Sequence, residues 1–217
     1  MKQSKVLQWV VWSVLVAVIF GVVLAYLVDV RRGLGLASGI GAHGSSLGKL
    51  PVIKTLGEFS LTNQHGSEIS TRSLKGAPWV ANIFFTRCPS ICVQMTQRMK
   101  EIQDAIGADQ SLKLVSITTD PDFDQPEILE KYSRRFDADQ ERWAFLTGEK
   151  SEIANAIQKE LLLAVQENKE SERQSELDLF THSSLLVLVD GESRLRGTYE
   201  SMGTNIVETI IADLDRL

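Results

Sequence analysis

The apolar positions of this chain fall into two regimes. From Val6 to Val28 they are almost continuous, broken only by Gln8, Ser13 and Gly21. A run of that length can cross a bilayer, which takes about 20 such residues. Trp9, Trp12 and Tyr26 lie toward its ends, where amphipathic rings favour the interface. The run is too long for a cleaved signal peptide and no small-residue cleavage site follows it directly. Asp29-Val30-Arg31-Arg32 follows at once, as a stop-transfer flank would. The pattern therefore predicts a short tail (1–5), a retained transmembrane helix (6–28) and, in the Gly- and Ser-rich stretch to residue 50, a flexible linker (29–50). Lys2 and Lys5 face Arg31 and Arg32 across the span, so positive charge leaves the orientation near balance.

From Pro51 onward, short apolar runs alternate with periodic ones, separated by turn residues. Glu58–Thr62 and Glu68–Thr71 read as strands joined by Asn63-Gln64-His65-Gly66. Trp79–Phe85 is rich in aromatic and β-branched residues and reads as a buried central strand. A helical pattern follows, with Ile91, Met95, Met99 and Ile102 on one face, ending at Gly107. Leu112–Thr118 and Trp143–Leu146 are further strands, with a helix over Glu127–Phe136 opened by Pro126 between them. Ser151–Leu163 reads as a helix and Glu167–Asp178 as a solvated loop. Leu185–Val189 and Arg194–Tyr199 make a hairpin about Asp190-Gly191, and Asn205–Leu217 closes the chain as a helix. The alternation predicts one α/β domain (51–217), a mixed sheet flanked by helices. In such sheets, sites form beyond the carboxyl ends of strands.

Composition narrows the function. The 217 residues are 43% hydrophobic and 24% charged, with a net charge of −5 and no basic stripe, which argues against nucleic-acid binding. There are two cysteines, so the fold is not a disulfide scaffold, and the pair works together or not at all.

Those cysteines follow the central strand in Thr86-Arg87-Cys88-Pro89-Ser90-Ile91-Cys92. Pro89 suits the first turn of a helix. That places Cys88 at or near the N-cap and Cys92 one turn later on the same face. Helix N-termini favour thiolate over thiol. Two thiolates one turn apart can hold one soft metal ion, Cu(I) above all, or close a disulfide if the turn deforms enough. Three residues separate them, where thioredoxin's redox motif has two; this tilts the reading toward metal. His182, in Thr181-His182-Ser183-Ser184 just before a strand, is the third candidate. His43 in the linker and His65 in a turn read as solvated. Met95 and Met99 read as core packing, and Asp120 as a turn residue that also lies near the site.

Taken in order, Cys88-Pro89, Cys92, Asp120-Pro121 and THSSLLVLVD resemble the Sco/SenC family of membrane-anchored copper chaperones for cytochrome c oxidase assembly. The likeness covers the anchor and essentially all of 51–217, and takes in GEFSLTNQHG and Leu146-Thr147-Gly148. The resemblance implies a thioredoxin-like fold and one copper ion, Cu(I) or Cu(II), held by Cys88, Cys92 and His182. It implies delivery to the copper-bearing subunit of cytochrome c oxidase, with a thiol–disulfide reductant or another copper chaperone as further partner. It also implies a single-pass protein of a bacterial inner membrane with its C-terminal domain outside; no Arg-rich presequence supports a mitochondrial address. Family members often carry Asp after the first Cys-Pro and Pro after the second cysteine; here these are Ser90 and Val93. The competing reading is a thiol–disulfide oxidoreductase with Cys88 attacking and Cys92 resolving. A peroxiredoxin-type peroxidase ranks lower, because Thr86 stands one residue too close to Cys88.

Overall fold

The computed structural model describes Trp12, Ile19, Gly21 and residues 48–107, 111–173 and 179–217. The chain divides into two units, Met1–Leu47 and Gly48–Leu217, and the second carries the architecture below. The expected anchor (6–28, apart from those three residues) and most of the expected linker, with His43, lie outside the described residues. Among the described residues no helix is long and apolar enough to cross a membrane.

Ten strands are described: β1 (Lys54–Thr55), β2 (Ser60–Asn63), β3 (Glu68–Ser70), β4 (Trp79–Phe84), β5 (Lys113–Thr118), β6 (Trp143–Thr147), β7 (Val165–Glu167), β8 (Phe180–His182), β9 (Leu185–Val189) and β10 (Arg194–Glu200). The helices are α1 (Thr71–Leu74), α2 (Ile91–Ile106), α3 (Pro126–Arg135), α4 (Lys150–Ala154) and α5 (Ile206–Leu214). Eight strands form one sheet in the order β1-β10-β9-β4-β5-β6-β2-β3. β4, β5 and β6 run parallel through β4-α2-β5-α3-β6, and β9 joins β4 antiparallel. β7 and β8 pair only with each other, as a separate two-stranded ladder.

β4 is central because every residue in it is buried. Its alternation splits two cores, as a period-2 element must. Val80 and Phe84 face the layer of α2, α3 and α5, with Met95, Met99, Leu129 and Ile210. Trp79, Ala81 and Ile83 face the layer of α1 and α4, with Leu74, Ile153 and Val187. Asn82 is the polar exception: the Ser116 hydroxyl donates to its Oδ1 at 2.6 Å, and Trp143 Nε1 donates to that hydroxyl at 2.9 Å. This chain of bonds lets one buried polar group lie across three strands without losing its acceptor's partner.

Local structure departs from the sequence reading in four places. The helix after the cysteines begins at Ile91 with Ser90 as its cap, so Pro89 precedes the helix. A turn closed by Cys88 N–H on Phe85 C=O (3.1 Å) delays the start. The helix expected over Ser151–Leu163 is α4 continued by a π-helical stretch, Asn155–Glu160. It ends with Glu160 buried, its carboxylate held by Lys54 Nζ (2.5 Å) and Gly57 N–H (2.6 Å). The expected loop Glu167–Asp178 begins as the end of β7 and includes a 3-10 turn at Glu170–Glu172; residues 174–178 lie outside the described residues. Finally, His182, expected just before a strand, also ends an unexpected one, β8, where it pairs with Val165.

Candidate metal centre

β4 and β5 end side by side, and the loops after them build the site. Thr119 N–H continues the ladder to Phe84 C=O at 2.8 Å. Beyond that point side chains take over. The carboxylate of Asp124 is fully buried and accepts from the Thr86 backbone N–H (3.1 Å), the Thr86 hydroxyl and the Thr118 hydroxyl (2.5 Å). Burial pushes its pKa up, and these three bonds work against that rise. Asp120 Oδ2 receives Arg87 Nε (3.0 Å) and Nη2 (2.6 Å), and the Arg87 guanidinium lies 4.4 Å from the Phe123 ring centroid. Two aspartates of one loop thus hold Thr86 and Arg87, the two residues before Cys88.

Cys88 and Cys92 are both buried and both free. Cys92 is the second residue of α2 and has no exposed surface. The two sulfurs do not ionise alike. Cys88 is lowered from 9.0 to about 5: the Cys92 thiol donates to it, burial opposes, and the Ser90 and Cys92 backbone N–H groups add to the lowering. Cys92 is pushed far up, by its bond to Cys88, by burial and by the Cys88 charge, with Asp124 adding to the rise. The pair gives up one proton easily and holds the second, as strongly coupled sites do. The first helical turn supplies the N–H groups that stabilise the thiolate.

His182 arrives from a distant part of the sequence. Its Nε2 stands 3.2 Å from Cys92 Sγ, across 90 residues of sequence. Its Nδ1 lies 3.0 Å from the carbonyl of Ser183. With Nδ1–H donating there, Nε2 keeps the lone pair that faces the sulfur, the arrangement that orients metal-binding imidazoles. The ring packs edge-on against Phe85 (6.2 Å between centroids, 86°), and Phe180 packs against the same Phe85 at 5.4 Å.

The three expected residues therefore meet pairwise, Cys88 with Cys92 and Cys92 with His182. Among the described residues no group of three or more His, Cys, Asp or Glu is drawn close enough to form a finished metal cage. The donors still suit a soft ion: two sulfurs and one oriented imidazole nitrogen. Other candidates fall elsewhere. His65 is exposed in the β2–β3 turn, where Asn63 Oδ1 accepts its backbone N–H at 3.0 Å. Met95 and Met99 are fully buried in the core. Asp120 is both a loop residue, accepting from Phe123 and Asp124 N–H, and a neighbour of the site through Arg87. Asp124 was not singled out from the sequence. The weak signal for it is a threonine ending β5 and another just after β4, which together call for a shared buried acceptor.

A helix-start dithiol after the central strand of such a sheet, faced by a distant histidine, defines a thioredoxin-like domain with a site for a soft ion or a disulfide. The chain belongs to the SCO1/SenC family, whose model matches residues 50–217. It is 31% identical over 158 residues to the SCO1 protein homolog of Bacillus subtilis (strain 168), covering 72% of this chain and 79% of that protein. Among solved structures it is similar to copper-bound ScoI of Bradyrhizobium japonicum (26% identity, TM-score 0.63, covering 75% of this chain and 99% of that one). It is also similar to BsSco, a member of the Sco family of cytochrome c oxidase assembly proteins in which a disulfide switch was identified (28% identity, TM-score 0.66, covering 76% and 95%).

Proposed function

We propose that this protein is a copper metallochaperone that takes one copper ion through Cys88, Cys92 and His182 and delivers it to the binuclear copper site of cytochrome c oxidase. The observation that carries the reading is the 3.2 Å approach of His182 Nε2 to Cys92 Sγ, beside a Cys88 already disposed to be a thiolate. Copper is the cargo here. The thiolates bind it, the helix start offsets their negative charge, and the imidazole completes the donor set. Its relatives support the assignment, since one is a copper-bound Sco protein and another belongs to a family of oxidase assembly proteins.

The apolar stretch 6–28 is read as a single-pass anchor that puts the domain on the outer side of a bacterial inner membrane. Protease added to intact spheroplasts should then digest the domain; full protection would reverse the orientation.

A second reading, thiol–disulfide oxidoreductase, draws on the same thiolate. Cys88 would attack a partner disulfide and form a mixed disulfide, and Cys92 would displace the partner's thiol. Two electrons would pass to the partner, leaving a Cys88–Cys92 disulfide. His182 Nε2 stands where it can accept the proton that Cys92 must lose.

The deciding experiment is copper retention by the reduced protein, wild type against His182→Ala and Cys92→Ser. One ion per chain in the wild type, with both variants strongly weakened, is the expected result. Unchanged retention in His182→Ala moves the assignment to the oxidoreductase.

A further inference from the structure

We infer that Asp124 is a positioning residue for the dithiol: its buried carboxylate fixes the turn that carries Cys88, and so sets where the Cys88 sulfur stands relative to Cys92. The inference rests on the functional reading above only for its copper readout.

The geometry is a tie between two strand ends. Thr118 is the last residue of β5, and Thr86 lies two positions beyond the end of β4. Past the Thr119–Phe84 bond the backbone ladder has run out, and the Thr86 N–H lands on the Asp124 carboxylate instead. The Thr86 hydroxyl takes the other carboxylate oxygen. The Thr118 hydroxyl donates to Asp124 and accepts the Asp120 N–H at 3.0 Å. Asp124 N–H in turn bonds Asp120 C=O at 2.9 Å. The loop is thus a closed frame, and Asp124 is the member that reaches across to the cysteine turn.

Thr86 is two residues from Cys88, and the intervening turn is closed by Cys88 N–H on Phe85 C=O. Two peptide units span at most about 7 Å, so a rotation at Thr86 is delivered to the sulfur with little slack. Sites of this kind need their groups held within about 0.5 Å. A carboxylate suits the task because it accepts all three bonds at once, with no donor of its own to place. An alanine leaves three donors without that acceptor in a buried pocket. An asparagine keeps one oxygen and loses the other.

The test uses the full chain with Asp124→Ala and Asp124→Asn beside the wild type. Each is loaded with copper alone, and the loaded fraction is followed by its Cu(II)–thiolate absorption and by the rate of Cu(I) loss to bathocuproine disulfonate. Loss of an outer partner costs a metal site about 10–100-fold. Asp124→Ala should lose copper about tenfold faster or more with a shifted absorption band, and Asp124→Asn should fall between it and the wild type. A purely structural role would lower the melting temperature and the amount loaded, but leave the loaded fraction with wild-type band and release rate; that result overturns the inference. If Asp124→Ala fails to fold, Asp124→Asn decides: wild-type behaviour overturns, an intermediate shift supports. The dithiol–disulfide equilibrium against glutathione is measured in parallel. If the wild type takes no copper, the chaperone reading fails and this second measurement judges Asp124. A shift in the equilibrium supports its role, and an unchanged equilibrium overturns it.

Discussion

The two halves of the candidate site are held very differently. The sulfur half belongs to the frame of the molecule. It follows the fully buried strand β4, its helix is fastened by Met95 and Met99 in the core, and Asp120 and Asp124 grip the two residues before Cys88. The imidazole half belongs to an appendage. His182 ends a three-residue strand whose only ladder partner among the described residues is another three-residue strand. It is partly exposed, and its ring packs edge-on against Phe85. The difference suits the carrier proposed above: sulfurs seated on the frame, and an imidazole seated on a short ladder.

The largest effect should come from the sulfur half. Cys92→Ser should weaken copper retention by more than the roughly 100-fold that marks the upper range for outer partners, read by competition with a Cu(I) chelator. Equal retention by Cys92→Ser and His182→Ala would erase the asymmetry. The frame can be probed without touching a donor. Met99→Ala should cost about 2–5 kcal/mol in denaturant unfolding, whereas Thr181→Ala, exposed on β8, should stay within about 0.5 kcal/mol. Comparable losses at both positions would show that the β7–β8 ladder is as deeply built in as α2.

His182→Ala should weaken retention less than Cys92→Ser does, while leaving the melting curve close to wild type, since it removes a half-buried ring from the edge of the fold. NMR of the ring with and without copper sharpens the point. A ring locked in the same place in both states would mean that the imidazole is held as firmly as the sulfurs.

Acidity offers a smaller, continuous probe. Cys88 is held down to about 5 by the Cys92 thiol and the helix N–H groups, so it stays a thiolate through neutral pH and loses that form as pH falls through about 5. Alkylation of reduced protein by iodoacetamide should therefore persist at pH 6 and drop about tenfold per pH unit below 5, at Cys88 and not at Cys92. A midpoint near the ordinary thiol value would contradict the account of the pair. Arg87→Ala probes the same frame. It removes two hydrogen bonds from the buried Asp120 carboxylate and should cost about 1–3 kcal/mol in unfolding; no measurable cost would put Arg87 on the rim.

The same contrast explains what could be read from the sequence. The eight-stranded sheet was largely legible because long apolar runs such as Trp79–Phe84 and Leu185–Val189 leave no other place to be, and the cysteines announce themselves by spacing. The β7–β8 ladder was not. Val165–Glu167 and Phe180–His182 are too short to show a period, and their polar residues read as loop. The π-helical widening after Ala154 ends at Glu160, whose partner Lys54 lies 106 residues away in sequence, and the delayed start of α2 follows a local turn, Cys88 N–H on Phe85 C=O, that Pro89 masks as a first helical turn. Asp124 was hidden for a related reason. One aspartate in a polar loop looks like any other until the two threonines it serves are brought together by the parallel pairing of β4 and β5.

The most direct measurement is X-ray absorption at the copper edge of the loaded full-length protein, wild type and His182→Ala. The account predicts two sulfur ligands and one imidazole nitrogen in the wild type, and loss of the imidazole signal with both sulfurs retained in the variant. A wild-type spectrum with sulfur ligands alone, or an imidazole signal that survives His182→Ala, would contradict it.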